Sequence, residues 1–386
     1  GRGRSLRGIY DRGTQRRAEQ WSAVSRAASW LFGRPDWILS ALGSPSPVEN
    51  DGRVLSRGVQ AALGLLQRLP GADAAAWGPG ADVELARRRM RQSAGFLLPL
   101  RTDVYSSGRV IPGPDGAPPI PLRIYRRFGA FPMAPRPLPP AIVFYHGGGW
   151  VVGDVEGYER HCRMLAAVTR CTVISVDYRL APEHPFPAAV DDSLAAYQWV
   201  QRHTDELGVA AGQVAVMGDS AGGNLAAVIS LLTRPGGRGS APDVPPPIVQ
   251  GLVYPAVDAH MNTETHRTLS VDYILTRDGM DWFRSCYLPD RSDWTSPEAS
   301  PLLADDHRGL PPALVVTAGF DPLRDEGTAY ADALRNGGVP VTYRCYDDQV
   351  HGFISMGIVP DTLALTIEVF DTMGHMVRAA ADAVAA

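Results

Sequence analysis

From Asp103 onward the chain alternates short apolar runs with helix-length stretches, and this alternation constrains its fold more than any other feature. The runs Asp103–Ile111, Ile120–Arg126, Ala141–His146, Thr172–Tyr178, Val214–Gly218, Ile248–Tyr254, Ala313–Ala318 and Val341–Tyr346 read as strands. Several are continuously apolar, as strands covered on both faces are. Helical stretches follow at Tyr158–Val168, Ala188–Gln201, Ala221–Leu232, Pro322–Arg335 and Asp361–Val384. Two leading strands and then βα units predict an α/β architecture with a sheet that becomes parallel. The segment Ala256–Leu310 is long for a βα connection and is expected to supply an inserted lid near a site.

Residues 1–102 differ. Trp21, Trp30, Leu31, Phe32, Trp37 and Ile38 lie in short helix-like patterns, interrupted by turn sequences such as Gly43-Ser44-Pro45-Ser46-Pro47 and Gly78-Pro79-Gly80. A mainly helical segment without internal repeats is expected. Its first residues, Gly1 to Arg17, are arginine-rich and are not followed by an apolar signal-peptide core. A basic tail is the simple reading. Contact with an acidic membrane surface is the sharper one.

Net charge is -4, so no global basic field invites nucleic acid. All 37 cationic side chains are arginine, and the absence of lysine excludes Schiff-base catalysis, a Ser-Lys dyad and a Walker-type phosphate loop. Cys162, Cys171, Cys286 and Cys345 lack the short spacings of a metal or redox site. Buried thiols in a reducing compartment, hence a cytoplasmic protein, are expected. No run approaches the ~18 apolar residues of a membrane-spanning helix.

The chemistry centres on Gly218-Asp219-Ser220-Ala221-Gly222, which follows the apolar run Val214-Ala215-Val216-Met217 and opens a helix. With 40 glycines in the chain the bare pattern is weak. Its context, strand then sharp turn then helix, is what a nucleophile elbow requires. The helix start favours negative charge developing at the serine.

A nucleophilic serine needs a base and an orienting acid, in the chain order Ser, Asp or Glu, His. His260, His266 and His307 precede any acid at the end of the seventh run, which leaves His351 and His375. His375 falls within a helix and reads as a surface or packing residue. His351 stands in a loop just past Val341–Tyr346, as a base should. Asp321 and Asp325 are the acid candidates. Asp325 falls in a first helical turn and suits the helix dipole. Asp321 follows the strand Leu314–Ala318 and is the chosen partner. The sequence His146-Gly147-Gly148-Gly149-Trp150 also follows a strand, and its glycines let backbone amides approach a ligand closely. Gly147, Gly148 and Gly149 with the Ala221 amide are the candidate oxyanion hole. His146 is expected to brace that loop.

These residues together resemble the bacterial hormone-sensitive lipase family of esterases. The matching segments are His146–Trp150, Gly218-Asp219-Ser220-Ala221-Gly222-Gly223-Asn224, Asp321-Pro322-Leu323-Arg324-Asp325-Glu326-Gly327, His351-Gly352-Phe353 and Tyr178–Ala189. The resemblance covers roughly Asp103 to the C-terminus. It implies an α/β-hydrolase fold, with an eight-stranded central sheet and a helical cap. Residues 103–386 would form the catalytic domain, with 256–310 partly cap. Residues 1–102 would contribute to the cap. Ser220 would be the nucleophile, His351 the base and Asp321 its partner. Gly148 and Gly149 are the favoured loop donors, and Arg179 and Glu183 would be structural, as an ion pair. The arginine-rich N-terminus departs from the family pattern.

The function implied is hydrolysis of small-molecule carboxylic esters of short to medium acyl length, with neither metal nor cofactor. Homo-oligomerisation stays open. The rival readings are an interfacial long-chain lipase, an amidase or deacetylase, and a non-catalytic binding member of the fold. His351 argues against the last, because the plant gibberellin receptors that resemble this family lack that histidine.

Overall fold

The computed structural model describes residues 19–20, 23–34, 38–39, 46–68, 77–128, 137–271 and 273–385. The arginine-rich stretch Gly1–Arg17, Trp21, Trp37 and the turn Gly43–Pro45 lie outside the described residues.

The core is one sheet of eight strands. They are β1 (Val104–Ile111), β2 (Ile120–Arg127), β3 (Ala141–Tyr145), β4 (Thr172–Val176), β5 (Val214–Asp219), β6 (Gln250–Val253), β7 (Ala313–Phe320) and β8 (Val341–Val350). Their spatial order is β1-β2-β4-β3-β5-β6-β7-β8. β2 runs antiparallel to both β1 and β4, and every later pairing is parallel. Each predicted strand is present, and the fold is the α/β-hydrolase fold expected.

Alternation along β3 shows how the sheet is covered. Ala141, Val143 and Tyr145 enter one apolar cluster while Ile142 and Phe144 enter another, on the opposite face. Both faces being dry explains the unbroken apolar runs. Strand ends are where expectation and structure differ. The sixth run was expected over Ile248–Tyr254, but the ladder holds only Gln250–Val253. β8 instead runs on through Asp347 and Asp348 to Val350. It is an edge strand, half-exposed for most of its length, so polar residues are tolerated there.

Along the chain the longer helices are α1 (Ala23–Phe32), α2 (Arg57–Arg68), α3 (Val83–Leu97), α4 (Glu159–Thr169), α5 (Ala188–Arg202), α6 (Ala221–Thr233), α7 (Arg277–Tyr287), α8 (Arg324–Asn336) and α9 (Pro360–Ala385). All residues of α6 are buried, which fits its apolar composition on every side. It is the central helix, directly behind Ser220.

The N-terminal segment packs on two places. Phe32, Leu39, Leu55, Val59 and Ala62 form a third apolar cluster with Phe320, Val350, Met356 and Val359. α3 instead reaches the glycine loop, where Arg87 donates to the carbonyls of Val151 and Ala181. The same arginine binds Glu183, at 2.7 Å. Arg179 binds Asp192 through Nη2 and Nε, at 2.7 and 2.9 Å. The expected Arg179–Glu183 pair is therefore corrected: each residue has a different partner, supplied by a helix invisible to local reading. Among the described residues no helix is long and apolar enough to cross a membrane.

Candidate active site

Ser220 sits between β5 and α6 with φ of 56° and ψ of -120°, a strained conformation for a residue with a side chain. The elbow is so tight that a Cβ on Gly222 would collide with the Tyr145 carbonyl, and one on Gly218 with the Gly222 carbonyl. Backbone bonds lock the turn: the Ser220 amide donates to Val253 O at 2.9 Å, and the Asn224 amide to Ser220 O at 3.0 Å. The serine therefore stands half-exposed at the carboxyl end of the sheet.

Asp321 follows β7 and His351 follows β8, so neighbouring parallel strands deliver them to the same sheet end. His351 Nε2 lies 3.0 Å from Ser220 Oγ, and His351 Nδ1 lies 2.8 Å from Asp321 Oδ2. The other Asp321 oxygen accepts the Leu323 amide at 2.8 Å. A carboxylate accepting at Nδ1 holds the proton there and leaves Nε2 to accept from the serine hydroxyl. Asp321 is fully buried, and the Tyr254 ring packs against His351 with centroids 4.6 Å apart.

The other candidates fall elsewhere. Asp325 occupies the first turn of α8 and accepts the Thr265 amide at 3.1 Å. His375 is exposed on α9, with Asp371 at 3.5 Å. His146 is buried and braces the glycine loop, its Nδ1 at 2.8 Å from Gly147 O and its ring stacked on Tyr178.

The glycine loop corrects one expectation. Gly147 was counted among the oxyanion donors, but its amide donates to Asp219 Oδ1 at 3.0 Å and to Tyr158 Oη at 3.1 Å. The Tyr158 hydroxyl in turn donates to Asp219 Oδ2 at 3.0 Å. Gly148 and Gly149 are half-exposed. Ala221 opens α6, so its amide has no partner within the helix. Gly148, Gly149 and Ala221 remain as the candidate donors.

Asp219 and Tyr158 were missed as functional residues. Asp219 is wholly buried, and burial pushes its carboxyl up to about 6, opposed by the Tyr158 hydroxyl, the charge of His351 and the Gly147 amide. A charged side chain next to the nucleophile was a legible signal for Asp219; nothing local marked Tyr158. Glu326 stands within the family-like segment Asp321–Gly327. It is buried, accepts the Val257 amide at 2.6 Å and lies 3.2 Å from His266, tying the 256–268 stretch to α8. Burial raises its pKa.

A family description reading "alpha/beta hydrolase fold" matches residues 142–355. The carboxylic ester hydrolase LipN of Mycobacterium tuberculosis is 43% identical over 277 residues, covering 71% of each chain. The carboxylesterase NlhH of the same species is 40% identical over 283 residues, covering 72% of this chain and 84% of its own. Among solved structures, a hyperthermophilic esterase from Pyrobaculum calidifontis superposes with a TM-score of 0.72 at 38% identity, covering 83% of this chain and 97% of that one. The chain belongs to the α/β-hydrolase family, in its hormone-sensitive-lipase-like branch.

Proposed function

We propose that this chain is a serine carboxylesterase that cleaves small-molecule carboxylic esters of short to medium acyl length through an acyl-enzyme on Ser220. The observation that carries the reading is the hydrogen-bonded series Ser220–His351–Asp321, with spacings of 3.0 and 2.8 Å.

In the first half-reaction Ser220 Oγ attacks the ester carbonyl while His351 Nε2 takes its proton. Asp321 holds the imidazole in the required tautomer and balances the positive charge it acquires. The carbonyl oxygen becomes an oxyanion, met by the amides of Gly148, Gly149 and Ala221 and by the N-terminus of α6. The tetrahedral intermediate collapses, and His351 returns the proton to the departing alcohol. Water then repeats the sequence on the acyl-enzyme and frees the acid.

Of the four free thiols expected to be buried, Cys162 and Cys171 are buried and Cys286 and Cys345 are partly exposed; a cytoplasmic setting is part of the proposal. An acyl chain-length series of aryl esters, with wild type and Ser220→Ala, tests the proposal. Serine-dependent hydrolysis greatest for acetate to hexanoate is expected. Undiminished hydrolysis by the alanine variant overturns the mechanism. A preference for long chains that rises with added vesicles replaces the soluble esterase by an interfacial lipase.

A further inference from the structure

Helix α7 lies directly on the glycine loop. Two aromatic side chains one turn apart make the contact, as residues i and i+4 on one helix face do. The Tyr287 ring stacks on Trp150, with centroids 4.4 Å apart and planes 8° from parallel. The Phe283 ring covers Gly149 so closely that a Cβ built on that glycine would lie within the ring's van der Waals envelope. Gly149 has φ of 58° and remains half-exposed, while Phe283 itself is almost wholly buried.

Two tryptophans pack against Phe283. Trp77, from the N-terminal segment, packs against it with centroids 6.1 Å apart, and Trp282 does so at 5.1 Å. Trp77 also lies against Gly279, one turn earlier on α7. The helix is anchored at its start by Thr276, whose hydroxyl accepts the Gly279 amide at 3.1 Å, and through Arg284, which donates to Ala259 O at 3.0 Å. An aromatic wall in fixed position beside a candidate oxyanion donor limits which ester can present its carbonyl there.

Resting on the esterase reading above, we propose that Phe283 is the specificity-determining residue of this site. Its ring excludes bulk from the arm of the ester that runs along the glycine loop. Tyr287 and Trp150 keep the wall in register with the loop, so ester size is read at the place where the oxyanion forms. Removing several carbons of wall should relax discrimination by roughly tenfold or more, since one methylene in an apolar pocket is worth about 10–200-fold.

The test uses the full chain and three variants: Phe283→Ala, Phe283→Leu and Phe283→Trp. The leucine variant keeps an apolar contact with Trp77 should the alanine variant fail to fold. Two substrate series are read as ratios of kcat/KM to p-nitrophenyl acetate, one lengthening or branching the acyl group and one enlarging the alcohol. In one of the two series, the ratio for bulky members is expected to rise about tenfold in the alanine and leucine variants and to fall in the tryptophan variant. The series that responds identifies the arm. Ratios within twofold of wild type in both series, for folded variants, overturn the proposal for Phe283. Absence of Ser220-dependent acetate hydrolysis in the wild type overturns instead the esterase reading, and this proposal with it.

Discussion

Asp219 accepts the amide hydrogen of Gly147 at 3.0 Å, and so the residue preceding the nucleophile fixes the first peptide of the glycine loop. Two segments 72 residues apart in sequence are thereby held in one register. The cost is a buried carboxylate, and its sign can be predicted. The folded pKa of about 6 lies above the ordinary 3.8. Folding favours the protonated form, so the stability this group contributes is present below pH 3.8 and lost as pH rises through 6. The difference corresponds to roughly 3 kcal/mol. Asp219→Asn keeps an acceptor for Gly147 and removes the charge. Its Tm should exceed that of wild type at pH 8, with the gain shrinking toward pH 4. Calorimetry across that range checks it; a lower Tm at pH 8 contradicts it.

His161 works in the opposite direction. Burial lowers it from 6.5 to about 4, and its Nε2 meets Ser355 Oγ at 2.8 Å. Its contribution to stability is present above pH 6.5 and lost as pH falls through 4, by roughly 3 kcal/mol. In Asp219→Asn the opposing effect is gone. That variant should therefore lose stability on acidification from pH 6.5 to 4 more steeply than wild type does.

Asp321→Asn preserves size and packing but offers His351 Nδ1 an amide in place of a carboxylate. The expected loss is about 10³–10⁴-fold in kcat with little change in KM. Steady-state kinetics on one aryl ester measures both. A loss confined to KM would place Asp321 in binding instead.

Arg179 and Glu183 should separate cleanly. Asp192 is 1% exposed and depends on Arg179, so Arg179→Ala leaves a buried carboxylate and should cost about 3 kcal/mol. The Arg87–Glu183 pair is half open to water on the glutamate side, and Glu183→Ala should cost under ~1 kcal/mol. Urea unfolding of both variants decides; similar losses would contradict the assignment.

The strands, Ser220, Asp321 and His351 were legible because each depends on a local pattern: an apolar run, a turn, or a position just past a strand. What stayed hidden depends on which distant segment arrives. Nothing near Gly147 says that its amide meets Asp219 rather than substrate, and nothing near Glu183 names Arg87. Phe283 looks like any apolar residue of an amphipathic helix until α7 is laid across Gly149. The extension of β8 to Val350 is masked in the sequence by the polar Asp347 and Asp348, which an edge strand permits.

On the proposed mechanism, Ser220 forms the covalent bond with substrate. Incubation with an aryl alkylphosphonate, followed by peptide mass spectrometry, tests it directly. A single adduct on Ser220, loss of esterase activity in proportion to labelling, and no adduct in Ser220→Ala are expected. Stoichiometric labelling at another residue with activity lost, or full activity in the labelled protein, would contradict it.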